Sequence, residues 1–290
     1  MPYFLTFICA ITCAIQSPIV KIFQKKRSTG IYLFTALTTA VAASFFLFSG
    51  ILSGGLHYNG AVLLYALCFA VSAAVCNVTM QMALGCGSLA LTALFVAYSL
   101  MIPTLYGLLF LNESLSALGW IGIALLVISL YLSNADFSSE KQTKGNKITP
   151  KWLILATLCA VSNGICSVIQ RMQQIAFDGA FKNEMMSAAF GFSSLLILPL
   201  VFYYERTEIK GILKDAALPA LARGVANGTT NLLVMVVTAS IATSIFFPII
   251  SAGSMIIAYV LSMSLFKERF SPYQHVGIAI GVLSLVFLNI

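Results

Sequence analysis

Glu113–Asn134 reads ESLSALGWIGIALLVISLYLSN, and the chain closes on a second version of the same stretch, Glu268–Asn289, ERFSPYQHVGIAIGVLSLVFLN. A constant offset of 155 places Glu113 on Glu268, Ser116 on Ser271, Gly122 on Gly277, Val127 on Val282, Ser129 on Ser284 and Asn134 on Asn289. Matches at that many fixed positions mark a repeated unit, not shared composition. Each copy is a short polar turn carrying a glutamate, followed by roughly 17 apolar or small residues, close to the ~20 that cross a hydrocarbon layer at 1.5 Å per residue.

Composition agrees with a membrane solvent. Apolar residues make up 60% of the chain and charged ones only 9%, with a mean hydropathy of +0.97; a water-soluble domain carries about 25% charge. The net charge of +7 sits in short links between apolar runs, where it sets membrane orientation, so nucleic acid is not expected as a partner. The seven cysteines fall within or beside apolar runs without metal or disulfide spacing and read as packing residues. The Lys cluster at 21–26 follows the first apolar run, the reverse of a cleavable leader, and makes that run a spanning helix.

Ten apolar runs qualify as spans: roughly 3–22, 31–53, 61–83, 88–110, 117–134, 152–170, 185–204, 216–238, 241–266 and 272–289. The polar stretch 135–151 divides them five and five and reads as a cytoplasmic linker between repeats 1–134 and 152–290. The duplication reaches further back. An offset of 150 brings Cys9, Ser17, Lys21 and Gln24 onto Cys159, Ser167, Arg171 and Gln174, and an offset of 154 brings Asn77 onto Asn231. An odd number of spans makes the second half enter the membrane from the opposite side. The expected fold is therefore an all-α polytopic membrane protein of ten transmembrane helices in two inverted five-helix repeats, the plan of many carriers whose site lies at the repeat interface. Thirteen Lys and Arg lie in the odd-numbered links against two, Arg171 and Lys182, in the even ones, which puts both termini on the non-cytoplasmic side.

Phe110-Leu111-Asn112-Glu113 with Gly122, repeated as Leu265-Phe266-Lys267-Glu268 with Gly277, together with Pro103 and Lys21, resembles the EamA type of the drug/metabolite transporter superfamily. That resemblance implies a multi-pass transporter of the plasma (cell inner) membrane, with no enzyme activity. The chain departs from the family pattern where members carry Trp-Gly in the first helix: here stand Cys13-Ala14 and, in the second half, Asn163-Gly164. Family members also often have cytoplasmic termini, opposite to the charge count.

Amide and charged side chains inside spans are costly unless they face protein or a wet cavity, which makes them the candidate substrate-binding residues. Arg223, Asn227 and Asn231 recur every four residues and share one helical face; Asn77 and Gln81 repeat the spacing in the corresponding first-half span. Gln16, Asn163 and Gln170 lie in the two repeat-related first spans, and Tyr98 can stack on or bond a substrate. Plainer readings stand beside these. An amide can simply bond across a helix interface, for about 0.6–2 kcal/mol; Arg223, about two turns into its span, can snorkel to the surface; Lys21 and Arg171 fit interfacial anchors; Glu113 and Glu268 fit caps of the helices that follow them. Gly85, Gly87 and Ser88, and Ser251 to Ser254, fit close helix approach. His57 and His275 are lone loop histidines and no metal or cofactor is assigned.

The function expected is movement of a small polar or amphipathic metabolite, an amino acid or drug-like compound, by alternating access. The alternative is translocation of a lipid-linked or phosphorylated anion on Arg223, and a membrane enzyme would need a His, Asp or Cys cluster that the spans lack. No Asp or Glu lies mid-span, so no proton carrier is expected. The expected partners are a small-molecule substrate and the bilayer, with a monomer expected and a dimer the other option.

Overall fold

The computed structural model describes residues 2–27, 29–110, 116–134, 149–238 and 243–288. Glu113 and nearly all of the 135–151 linker lie outside the described residues. The rest is helix joined by short turns: α1 Pro2–Lys26, α2 Ile31–Leu52, α3 Gly60–Cys86, α4 Leu89–Ala97, α5 Met101–Phe110, α6 Ala117–Asn134, α7 Pro150–Ala176, α8 Lys182–Tyr204, α9 Ile209–Thr238, α10 Thr243–Leu265 and α11 Pro272–Leu288. A single 3₁₀ turn, Tyr98–Leu100, joins α4 to α5 and breaks what reads in the sequence as one span. No strand occurs among the described residues.

Caps and breakers in the sequence set several of these ends. Asn59 starts α3 by accepting the Val62 N–H at 2.8 Å, and Thr149 starts α7 by accepting from Trp152 at 3.2 Å, with Pro150 placed where no N–H is needed. Ser271 and Gln274 bond reciprocally across the first turn of α11, at 3.1 and 3.3 Å. Glu268 is therefore not the cap of the helix that follows it.

Among the described residues, six stretches are long and apolar enough to cross a membrane: Phe4–Lys26, Ile31–Leu52, Gly60–Cys86, Leu89–Gly107, Pro150–Ala176 and Lys182–Tyr204; Ala117–Ser129, Ala252–Leu265 and Pro272–Phe287 are shorter apolar helices. α9 is long enough, but its middle carries Arg223, Asn227 and Asn231, which dilute its apolar character. The surface is greasy and the interior partly polar. Phe48, Leu52, Leu64, Tyr203 and Leu218 are 63–80% exposed, whereas Thr35, Thr38, Thr39, Gln81, Ser193 and Arg223 are buried. An exterior of this kind is stable against acyl chains, and helices suit it because they satisfy their own backbone.

Packing runs largely between early and late helices. α2 lies on α8, α6 on α11, α3 on α7 and α8, and α9 on α1 and α2, while α1 also packs on α10. Aromatic rings fill the wedge between α2, α3 and α8, where Phe190 meets Phe46 and Phe69 with ring centroids 6.1 and 5.9 Å apart. Close approach at the α2–α9 crossing depends on Gly224, where a Cβ would stand 2.6 Å from Val41 and 2.8 Å from the Thr38 carbonyl oxygen.

Candidate functional site

α9 starts at Ile209, seven residues earlier than the apolar run that announces it, so Arg223 stands fourteen residues and about 21 Å along the helix. It is at mid-helix, and its side chain turns inward instead of snorkelling. Arg223 is 2% exposed and turns inward, where Nη2 donates to the Asn77 Oδ1 at 2.8 Å and lies 3.8 Å from the Met80 sulfur. Asn77 in turn donates to the Ala73 carbonyl at 2.9 Å, as a mid-helix amide does when its oxygen is committed elsewhere.

These side chains border a cavity of about 280 Å³ enclosed by α1, α3, α4, α7, α8, α9 and α10. The four-residue period of α9 puts Arg223, Asn227, Thr230 and Asn231 along one wall. Asn231 Nδ2 donates to Asn227 Oδ1 at 2.7 Å. From α1, Gln16 donates to the Thr230 hydroxyl at 3.2 Å, and that hydroxyl bonds to Thr12 at 2.9 Å. Across the cavity, α7 contributes Asn163, which donates to Ser99 in the 3₁₀ turn at 2.7 Å, and also Ser167 and Gln170. Phe69, Met80, Phe190 and Ile250 make the apolar part of the lining. Arg223 is the one charged side chain among the described residues that line the cavity.

Six of the eight candidate residues thus meet around one space: Gln16, Asn77, Asn163, Arg223, Asn227 and Asn231. Gln81 and Tyr98 do not. Gln81 lies one turn beyond Asn77, past the end of the cavity, fully buried against α2 with its amide nitrogen on the Thr35 hydroxyl. Tyr98 occupies the break after α4, and its ring turns toward the α6–α11 pair: the hydroxyl bonds Ser129, and Ser129 donates to the Gly277 carbonyl at 2.5 Å. Gly281 leaves room for it, since a Cβ there would sit 2.7 Å from the Tyr98 oxygen. Ser17, Ser99, Ser167, Cys76, Cys166 and Phe190 line the cavity without having been singled out from the sequence. The offset of 150 that superposes Ser17 on Ser167 was the one available pointer to that pair.

A second polar cluster lies apart from the cavity. Lys21, expected at an interface, is 8% exposed; its ammonium donates to the Gly87 carbonyl at 2.7 Å and pairs with the Glu268 carboxylate. Glu268 also accepts from the Ser88 hydroxyl at 2.7 Å, from the Leu89 N–H at 3.1 Å and from Ser262. It caps α4, in the other half of the chain, and not α11.

The family model described as "EamA-like transporter family" matches residues 150–290. Solved structures share the fold: one crystallised protein, 15% identical, superposes with a TM-score of 0.63 over 98% of this chain and 97% of its own. No curated protein matches the sequence.

Proposed function

We propose that this membrane protein, whose residues 150–290 match the model of the EamA-like transporter family, carries a small polar or amphipathic metabolite through the amide-bearing cavity by alternating access. One observation carries the reading: polar side chains from both halves of the chain, Asn77 and its repeat counterpart Asn231 among them, converge on one cavity inside the bundle. At about 280 Å³ the cavity falls at the small end of ligand pockets, which run about 300–1,000 Å³, and this favours a metabolite over a lipid-linked head group.

Alternating access needs two bodies that rock about the site, and the repeat supplies them. Ten spans in two inverted halves pair α1 with α7, α2 with α8, α3 with α9, α4–α5 with α10, and α6 with α11. Exchanging the halves turns the α3–α7 contact into α9–α1 and α3–α8 into α9–α2, both of which occur, and leaves α2–α8 and α6–α11 as they are. This interchange supports the two-fold arrangement. The charge count assigns Lys25, Lys26 and Arg27, with the links after α8 and α10, to the cytoplasmic face of the cell membrane.

The test is transport in proteoliposomes across a panel of amino acids and neutral metabolites, with Asn227→Ala and Asn231→Ala. At least a tenfold loss is expected in either variant, about the worth of one or two buried hydrogen bonds, with an unchanged melting midpoint. Wild-type rates in both would remove the cavity from the translocation path.

A further inference from the structure

Arg223 is fully enclosed, yet Nε and Nη1 make no hydrogen bond, and no carboxylate among the described residues pairs with it. Its close partners are both neutral, the Asn77 amide and the Met80 sulfur. A guanidinium held this way at the centre of a bundle is costly to fold around. Its place on the cavity wall supplies a reason: the missing counter-charge arrives with the ligand.

We infer that the cavity takes a small organic monocarboxylate, whose carboxylate neutralises Arg223 and lies beside Asn227, with its apolar remainder against Phe69, Phe190 and Met80. This rests on the carrier reading and names its substrate class. Two features choose a carboxylate over a phosphate. Arg223 is the only charged lining residue among those described, so a single negative charge leaves the site neutral, whereas a phosphate monoester carries about −1.5 to −2 and leaves the membrane interior anionic. The described lining beyond Arg223 is amide, hydroxyl, thiol and apolar, with no second cation among the described residues to share a dianion. A guanidinium holds a carboxylate by planar, charge-assisted hydrogen bonds.

Asn77→Asp is the decisive variant. It keeps the size of the side chain and supplies an internal carboxylate 2.8 Å from Nη2, so it competes with the ligand for Arg223. The full chain in nanodiscs is titrated with butanoate, 4-methylpentanoate and phenylacetate, with their primary amides and with phenyl phosphate, and the melting midpoint is followed, since a ligand of the folded state raises it by mass action. The acids are expected to raise the midpoint of the wild type and the amides to leave it; Asn77→Asp and Arg223→Gln are expected to weaken acid binding about tenfold or more, and Arg223→Lys to retain part of it. Equal responses to acids and amides, or undiminished acid binding by Asn77→Asp, overturn the inference. A phosphate that outcompetes every acid overturns the choice of carboxylate. Absence of any response while neutral metabolites are transported ends this inference and spares the carrier reading; absence of both binding and transport ends both.

Discussion

Lys21 and Arg223 are both cations buried inside a helical membrane protein, 8% and 2% exposed, and their surroundings differ in kind. Lys21 has a carboxylate, Glu268, which is itself bonded to Ser88, Ser262 and the first N–H of α4, where the helix dipole also favours a negative group. That cluster is complete. It ties α1, the start of α4 and the link before α11 together, and it leaves nothing for a ligand to do. Arg223 has an amide, a sulfur and two nitrogens without acceptors. The contrast separates a charge that holds the fold from one that waits for a partner, and it does so by the completeness of the hydrogen bonding, since depth alone does not distinguish them.

The largest expected effect lies at the complete cluster. Glu268→Ala strands the Lys21 ammonium and should cost about 3–5 kcal/mol, seen as a sharp drop in melting midpoint in nanodiscs; adding Lys21→Met should recover much of it. A drop no larger than that of a surface ion pair would erase the distinction drawn above. The middle effect belongs to Arg223→Met. Loss of the bond to Asn77 and relief of the buried charge work against each other, so stability should stay within about 1 kcal/mol of the wild type. A loss as large as that of Glu268→Ala would make Arg223 a structural group.

The smallest effect is expected outside the membrane, where Lys26 and Arg27 meet Asp215 at 2.8 and 3.0 Å and Arg27 and Thr29 meet Glu208 at 2.8 and 3.0 Å. Hydrogen bonds from Arg27 and then Thr29 hold the Glu208 carboxyl below its ordinary value of 4.5, and those from Lys26 and Arg27 hold Asp215 below 3.8. A carboxyl whose folded pKa is depressed contributes stability above its unfolded pKa and loses it as pH falls through the folded one. The contribution is thus present at neutral pH and disappears on acidification below about pH 4. Asp215→Asn should flatten the midpoint between pH 6 and 3 slightly, and 1 M salt should mimic it at neutral pH because the pair is screened. An unchanged acid profile would show that these exposed pairs contribute nothing measurable.

Much of the site was legible before any coordinates. Arg223, Asn227 and Asn231 could be placed on one wall because a helix returns to the same face every four residues, and Asn77 could be set near them because the repeat maps it onto Asn231. The same period misled at Gln81. It shares the stripe with Asn77, but a stripe has no endpoint in sequence, and the cavity stops at Met80 while Gln81 meets α2. Tyr98 was lost because the sequence does not say which side of α4 faces the cavity: Ala93, Val96 and Ala97 line it, whereas the Tyr98 hydroxyl meets Ser129 of α6. The direction of Arg223 was open in the sequence, because a side chain two turns into an apolar run can snorkel or turn inward, and only the bond to Asn77 shows that it turns inward.

By itself the sequence determined that the chain is helical and membrane-embedded, since apolar run length and charge placement are properties of residues near one another; the internal offsets pointed further, to a duplication. Only the tertiary structure decided which buried charges are answered. Lys21 and Glu268 are 247 positions apart and Arg223 and Asn77 are 146 apart, and no periodicity links residues on different helices. Whether a cation finds a carboxylate or a cavity depends on how the helices pack.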